Sequence, residues 1–124
     1  MNIRAQVFQI LSNSSFSVYG RKAPGGSSPP YAVFSIISNV AGYTHDGPDE
    51  TGEARVQVSC YANTYGGAGA VVDSIVNAVH TSTNTYGVRK KRKVNEVDFY
   101  EEDTNLYHIP VDFILGHVKH TTGG

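Results

Sequence analysis

The sequence predicts a single α+β domain spanning 1–124: one mostly antiparallel sheet, two helices packed on one face, and a long hairpin arm. Three observations predict it. Apolar residues recur at helical spacing in 3–11 and 65–81, and they alternate at strand spacing in 54–62 and 105–116. Most of the segments between these runs are short and turn-like, the pattern of antiparallel hairpins. Hairpins combined with two amphipathic helices favour one sheet with both helices on the same side. A length of 124 residues fits one domain on the usual ~100–200 residues per domain.

The elements follow in order. Ile3, Val7, Ile10 and Leu11 share one face of a first helix, which Ser12-Asn13-Ser14-Ser15 stops. Phe16 to Tyr19 reads as a short strand. Arg21 to Pro30 is a loop by its three Pro and two Gly, and a strand is most easily begun after Pro30. That strand, Tyr31 to Ser38, is apolar on both faces apart from Ser35, so it reads as central and covered on both sides. In 54–62, Val56, Val58, Cys60 and Ala62 point one way and Arg55, Gln57, Ser59 and Tyr61 the other, a half-buried strand. The segment 39–53 between these strands is long for a hairpin connection and reads as an extended loop, functional or disordered.

Val71, Val72, Ile75, Val76 and Val79 form the stripe of a second helix over 65–81, with Asn63 or Thr64 as its N-cap. Valine is a modest helix former, so packing must hold this helix. Residues 81–93 read as a polar connector. Two final strands follow, about 94–102 and 105–116, split at Asp103-Thr104-Asn105. Pro110 suggests that the last is an edge strand or carries a bulge. Residues 117–124 read as a flexible tail.

Composition excludes several classes. Ten Lys and Arg against eleven Asp and Glu give a net charge of −1, which argues against a globally basic nucleic-acid binder. A single cysteine, Cys60, excludes an intramolecular disulfide framework and any multi-cysteine metal site. No apolar run reaches the ~18 residues of a membrane span, and the N-terminus lacks a signal-peptide core. The expectation is a soluble protein made in a reducing cytosol, without a membrane partner. The polar, glycine-rich composition leaves little core to spare, which favours burial against partner subunits.

Candidate chemistry is sparse. Tyr65-Gly66-Gly67-Ala68-Gly69-Ala70 lies between a strand and a helix but lacks the residues of a dinucleotide or phosphate loop; small residues there ease a helix past a sheet. His45, His80, His108, His117 and His120 are scattered and offer no convergent ligand set. Cys60 lies on the apolar side of its strand, where a thiol is inert packing. The expected catalytic, cofactor-binding and metal sites are therefore none, and the chain does not read as an enzyme.

Two charged features remain. The 39–53 segment carries Asp46, Asp49, Glu50 and Glu53 and no Lys or Arg. Arg89, Lys90, Lys91, Arg92 and Lys93 form a run of five positive charges. That run is a solvated loop, a contact to DNA phosphates, or a pairing with an acidic surface of a neighbouring subunit such as the 46–53 arm. Unlike patches on separate elements suit head-to-tail contacts between copies.

Three segments then carry a resemblance. Pro29-Pro30-Tyr31-Ala32-Val33-Phe34-Ser35-Ile36, Arg55-Val56-Gln57-Val58-Ser59-Cys60-Tyr61-Ala62 with the helix to Val79, and the stretch Asp98 to Phe113 resemble the tail-completion, or tail-terminator, family of long-tailed bacteriophages. With the N-terminal helix they cover most of the chain. The resemblance implies a virion structural protein that closes into a hexameric ring. Such a ring caps the head-proximal end of the tail tube, ends tube polymerisation and joins tail to head. It implies the tail tube protein and a head connector protein as partners, genome DNA passing transiently through the lumen, and synthesis in the host cytoplasm. The basic 89–93 run and the His-rich tail depart from the family's usual final segment. Alternatives are another head–tail connector ring component, such as a head-completion stopper, or a small nucleic-acid-binding module using 89–93.

Overall fold

The computed structural model describes residues 3–44, 47–82 and 88–118. The elements run α1 (Ile3–Leu11), β1 (Ser17–Gly20), β2 (Tyr31–Thr44), β3 (Gly47–Ala62), α2 (Tyr65–Thr81), β4 (Val88–Glu96), β5 (Phe99–Glu101) and β6 (Leu106–Val118). They form one six-stranded sheet of order β1-β2-β3-β6-β4, with β5 also paired to β6. Only the β1–β2 pair is parallel. The α+β class, the mostly antiparallel sheet and the two helices on one face are as the sequence predicts.

Helical periodicity translates directly into packing. Ile3, Val7, Ile10 and Leu11 of α1 and Val71, Val72, Ile75 and Val79 of α2 are buried in one core with Val56, Val58, Cys60, Ile109, Val111, Phe113 and Leu115 of the two central strands. Thr64 is the α2 N-cap: its hydroxyl accepts from the Gly67 amide at 2.9 Å, satisfying a donor the helix leaves open. A Cβ at Gly67 would lie 2.8 Å from Thr64 Oγ1 and 3.2 Å from Ala62 Cβ. Gly67 therefore serves a close approach at the start of the helix, whereas a Cβ at Gly66 or Gly69 would meet nothing within 4 Å.

Four expectations need correction. First, β2 is covered on one face only: Ala32 and Phe34 are buried, whereas Ile37 is 53% exposed. Ile37 falls in the register irregularity between Ile36 and Ser38, outside the regular alternation of the strand. Second, 39–53 is not an extended loop. Its described residues continue the β2–β3 ladder as far as Thr44 opposite Gly47, and only 45–46 lie outside the described residues.

Third, the polar connector ends early. The basic residues 89–93 belong to strand β4, which pairs with β6, and the predicted 94–102 strand divides between β4 and β5. Fourth, β6 is interior, between β3 on one side and β4 and β5 on the other. Pro110 is tolerated there because its backbone faces the gap where β4 ends and β5 has not begun. Its carbonyl accepts from Val97 at 3.2 Å across that gap, and its missing N–H would point the same way. β6 also takes in residues 117–118 of the predicted tail; 119–124 lie outside the described residues.

Candidate interaction surfaces

The sheet face away from the helices is built by the alternate residues of the same strands. Tyr31 lies opposite Tyr61, Tyr61 opposite His108, and His108 opposite Phe99. Side chains directly opposite on one face meet, so a row of rings crosses the sheet. Tyr19 meets Tyr31 edge-on at 6.0 Å between centroids. Tyr31 stacks on Tyr61 at 5.1 Å, Tyr61 on His108 at 4.4 Å, and Phe99 closes the row 6.0 Å from His108. Burial pushes the Tyr31 and Tyr61 phenols up, with Glu101 adding to both. Burial holds the His108 imidazole below its usual value, against a smaller opposing effect of Glu101. Its Nε2 is buried and meets no hydrogen-bond partner among the described residues.

Further along the same face, Asp112 is buried and held by β3. Arg55 donates to Asp112 Oδ2 from Nε at 3.1 Å and Nη2 at 2.7 Å, and Gln57 Nε2 donates to Oδ1 at 3.1 Å. Both carboxylate oxygens are thus satisfied. On the opposite face, burial pushes the Cys60 thiol up to about 12, helped by Glu96, so it is a neutral packing group rather than a nucleophile.

The charged residues singled out in the sequence fall at the two sides of the sheet. Asp49 and Glu50 lie on β3 within the hairpin arm, Glu53 is exposed on β3 opposite Val40 of β2, and Asp46 lies outside the described residues. The basic run lies on the far strand and is split by strand alternation. Lys91 and Lys93 sit opposite Leu115 and Phe113, on the helix side; Arg92 sits opposite Ile114, on the open side, and Lys90 pairs in register with Gly116. Arg89 falls in the irregularity between Val88 and Lys90. Lys91 Nζ donates to Ser82 Oγ at 3.2 Å, and Lys93 pairs with Glu96 at 2.5 Å.

Between α2 and β4, a 370 Å³ cleft is lined by Asp73, His80, Lys93 and Glu96 among others. No group of three or more metal-ligating side chains forms among the described residues. His45 and His120 lie outside them, and only the backbone of His117 is described.

The aromatic row and the Arg55–Asp112–Gln57 cluster were missed in the sequence. Arg55, Gln57, Tyr61, His108 and Asp112 were visible as the polar phase of two alternating strands, whereas Tyr19, Tyr31 and Phe99 lie on three further strands. What brings them together is the register between strands far apart in the chain. The row also bears on nucleic-acid binding. Single strands bind by stacking bases on open ring faces, but here Tyr31, Tyr61 and His108 turn their faces to one another.

Comparison with known proteins adds the family. No curated protein sequence matches the chain. Among solved structures, it is similar to a chain from the virion of a native gene transfer agent particle, with a TM-score of 0.70 at 14% identity over 94% of both chains, a likeness of fold. The family model described as tail completion protein gp17 matches residues 5–116. That span takes in both helices and nearly all of the sheet, and the chain therefore belongs to the gp17 family of phage tail completion proteins.

Proposed function

We propose that the chain closes into a ring, hexameric by family resemblance, on the head-proximal end of the tail tube. The ring ends tube polymerisation and offers the surface that joins tail to head. Family membership supports a role in tail completion. The structural observation that carries the finer reading is the β2–β3 arm. Its ladder runs on from Ala54, a buried core position, to Thr44 opposite Gly47, beyond the last residue of β6 that pairs with it, Val118. An arm that leaves the core has no folding role sufficient to explain its length, and it suits contact with an adjacent ring or subunit. Asp46, Asp49, Glu50 and Glu53 give it the charge for such a contact.

The split of Lys91, Arg92 and Lys93 between two faces of one strand favours a subunit seam over a continuous basic lining for DNA in the lumen. The aromatic row disfavours the single-strand-binding alternative, because Tyr31, Tyr61 and His108 stack on one another.

The test is electron microscopy of phage that lack the gene and of phage with residues 43–52 deleted. Loss of the gene should leave overlong or unattached tails beside filled heads. The arm deletion should leave a folded protein that no longer supports joining. Normal attached tails in the null phage would overturn the reading, and normal joining with the shortened chain would remove the arm from it.

A further inference from the structure

The two lateral margins of the sheet are unlike and complementary. On one side, β1 covers β2 only up to Phe34, so along 35–44 no strand lies outside β2 among the described residues. On the other side, no strand lies outside β4 along Val88–Glu96 among the described residues. A strand edge without a neighbour readily accepts another strand. The two edges are of similar length, and each exposes apolar side chains: Ile37 and Val40 at 53% and 63%, Val94 at 38%.

Charge sets the orientation. The upper end of the bare β2 edge adjoins the acidic arm, with Asp49, Glu50 and Glu53 one strand inward. Its lower end opens on a 720 Å³ groove lined by Arg4, Arg21 and Phe34 to Ile37. β4 begins in the basic run 89–93 and ends in Glu96, with Asp98, Glu101 and Glu102 following in the chain. Laid antiparallel on β2, β4 puts positive against negative at the top and negative against positive at the bottom. Laid parallel, it sets like charges together at both ends.

We infer that β4 of one copy adds antiparallel to the bare edge of β2 in the next, carrying the sheet across the subunit boundary. The occupant is a second copy of this chain. The contact is head-to-tail, joining different patches on the two copies, which permits closure into a ring. The inference rests on the ring reading and names the surfaces through which the ring closes. Lysines on β4 alone could serve only to repel stray strands, but that role leaves the apolar β2 edge unguarded and the matching of both ends unexplained.

Pairing the two edges centre to centre brings Ile37 near Val94. The test is oxidative cross-linking of Ile37→Cys, Val94→Cys and the double variant in purified phage particles. Cys60 is buried and stays silent. Only the double variant should give a ladder of multimers on a non-reducing gel. Dimers from either single variant would mean like-edge pairing and overturn the inference. No cross-link from any variant, with several copies per tail counted by mass spectrometry, would overturn the inference and leave the ring standing. One copy per tail would overturn the ring itself.

Charge exchange tests the same contact without cysteines. Arg92→Glu and Glu53→Arg, both at exposed positions, should each weaken assembly roughly tenfold, as like charges brought together at an interface do. Mixing the two variants should restore it, because each then meets an opposite charge. Equal assembly by the single variants, or no rescue on mixing, would overturn the inference.

Discussion

β3 and β6 face two ways, and their two faces are held by different physics. On the helix side, Val56, Val58, Cys60, Ile109, Val111, Phe113 and Leu115 are dry and close-packed. On the open side, the same strands carry Arg55, Gln57, Tyr61, His108 and Asp112, whose charges are paired and whose rings stack on one another. Apart from the buried His108 Nε2, the open face is therefore satisfied without a partner. The strand edges without a neighbouring strand among the described residues are at the margins of the sheet, and the margins are where association is expected.

The comparison breaks most easily at Phe113, which is 1% exposed. Phe113→Ala should cost about 3–5 kcal/mol in urea unfolding, the usual result of a large cavity in a packed core. A loss below about 1 kcal/mol would mean that the core closes over the gap.

On the open face the corresponding change is smaller. Asp112→Ala strips Arg55 and Gln57 of their acceptor, at about 1–2 kcal/mol, softened because the Arg55 side chain is 42% exposed and rehydrates. Asp112→Asn keeps an acceptor for Gln57 and should cost less. An equal loss in the two variants would show that charge, not hydrogen bonding, holds the cluster.

The smallest effect is the most specific, because each face holds a titrating group that acts on a different flank of pH. The folded state holds Cys60 protonated up to about 12. The unfolded chain releases that proton first, so stability falls as pH rises above the ordinary thiol value of about 8.5. Burial holds the folded His108 imidazole below its usual value. The unfolded chain takes up the proton first, so stability falls as pH drops below about 6.5. Cys60→Ala should flatten the onset of the alkaline decline, leaving the later part that Tyr31 and Tyr61 contribute. His108→Phe should flatten the acid decline while keeping a ring in the row. Denaturation midpoints across pH measure both, and unchanged slopes would remove these groups from the linkage.

Much of this fold was legible in the chain. The stripes of α1 and α2, a cap at Asn63 or Thr64 and the buried phase of 56–62 follow from periodicity and capping chemistry alone, because each depends on neighbours a few residues away; the structure decides for Thr64. The inert role of Cys60 followed from its phase. The failures share a different cause. Residues 31–38 look two-sided because composition cannot show the register irregularity between Ile36 and Ser38 that leaves Ile37 exposed. Arg89 to Lys93 look like a loop because like charges disfavour packing, yet an edge strand keeps long side chains hydrated while its backbone pairs inward. Pro110 looks like an edge signal because no local rule reports a neighbour that changes from β4 to β5. The aromatic row needed the registers of four strand pairs at once.

That row has an optical consequence. The chain contains eight tyrosines and no tryptophan, so phenol transitions dominate its near-ultraviolet absorption. Tyr31 and Tyr61, 5.1 Å apart and 28° from parallel, are close enough for their transitions to couple and give a chiral doublet in circular dichroism. A slip of β3 by one residue would carry Tyr61 to the helix side and remove its share, leaving that of Tyr100 and Tyr107, 4.9 Å apart on β5 and β6. The protein thus carries a label-free gauge of its own strand alignment, read as a difference in solution.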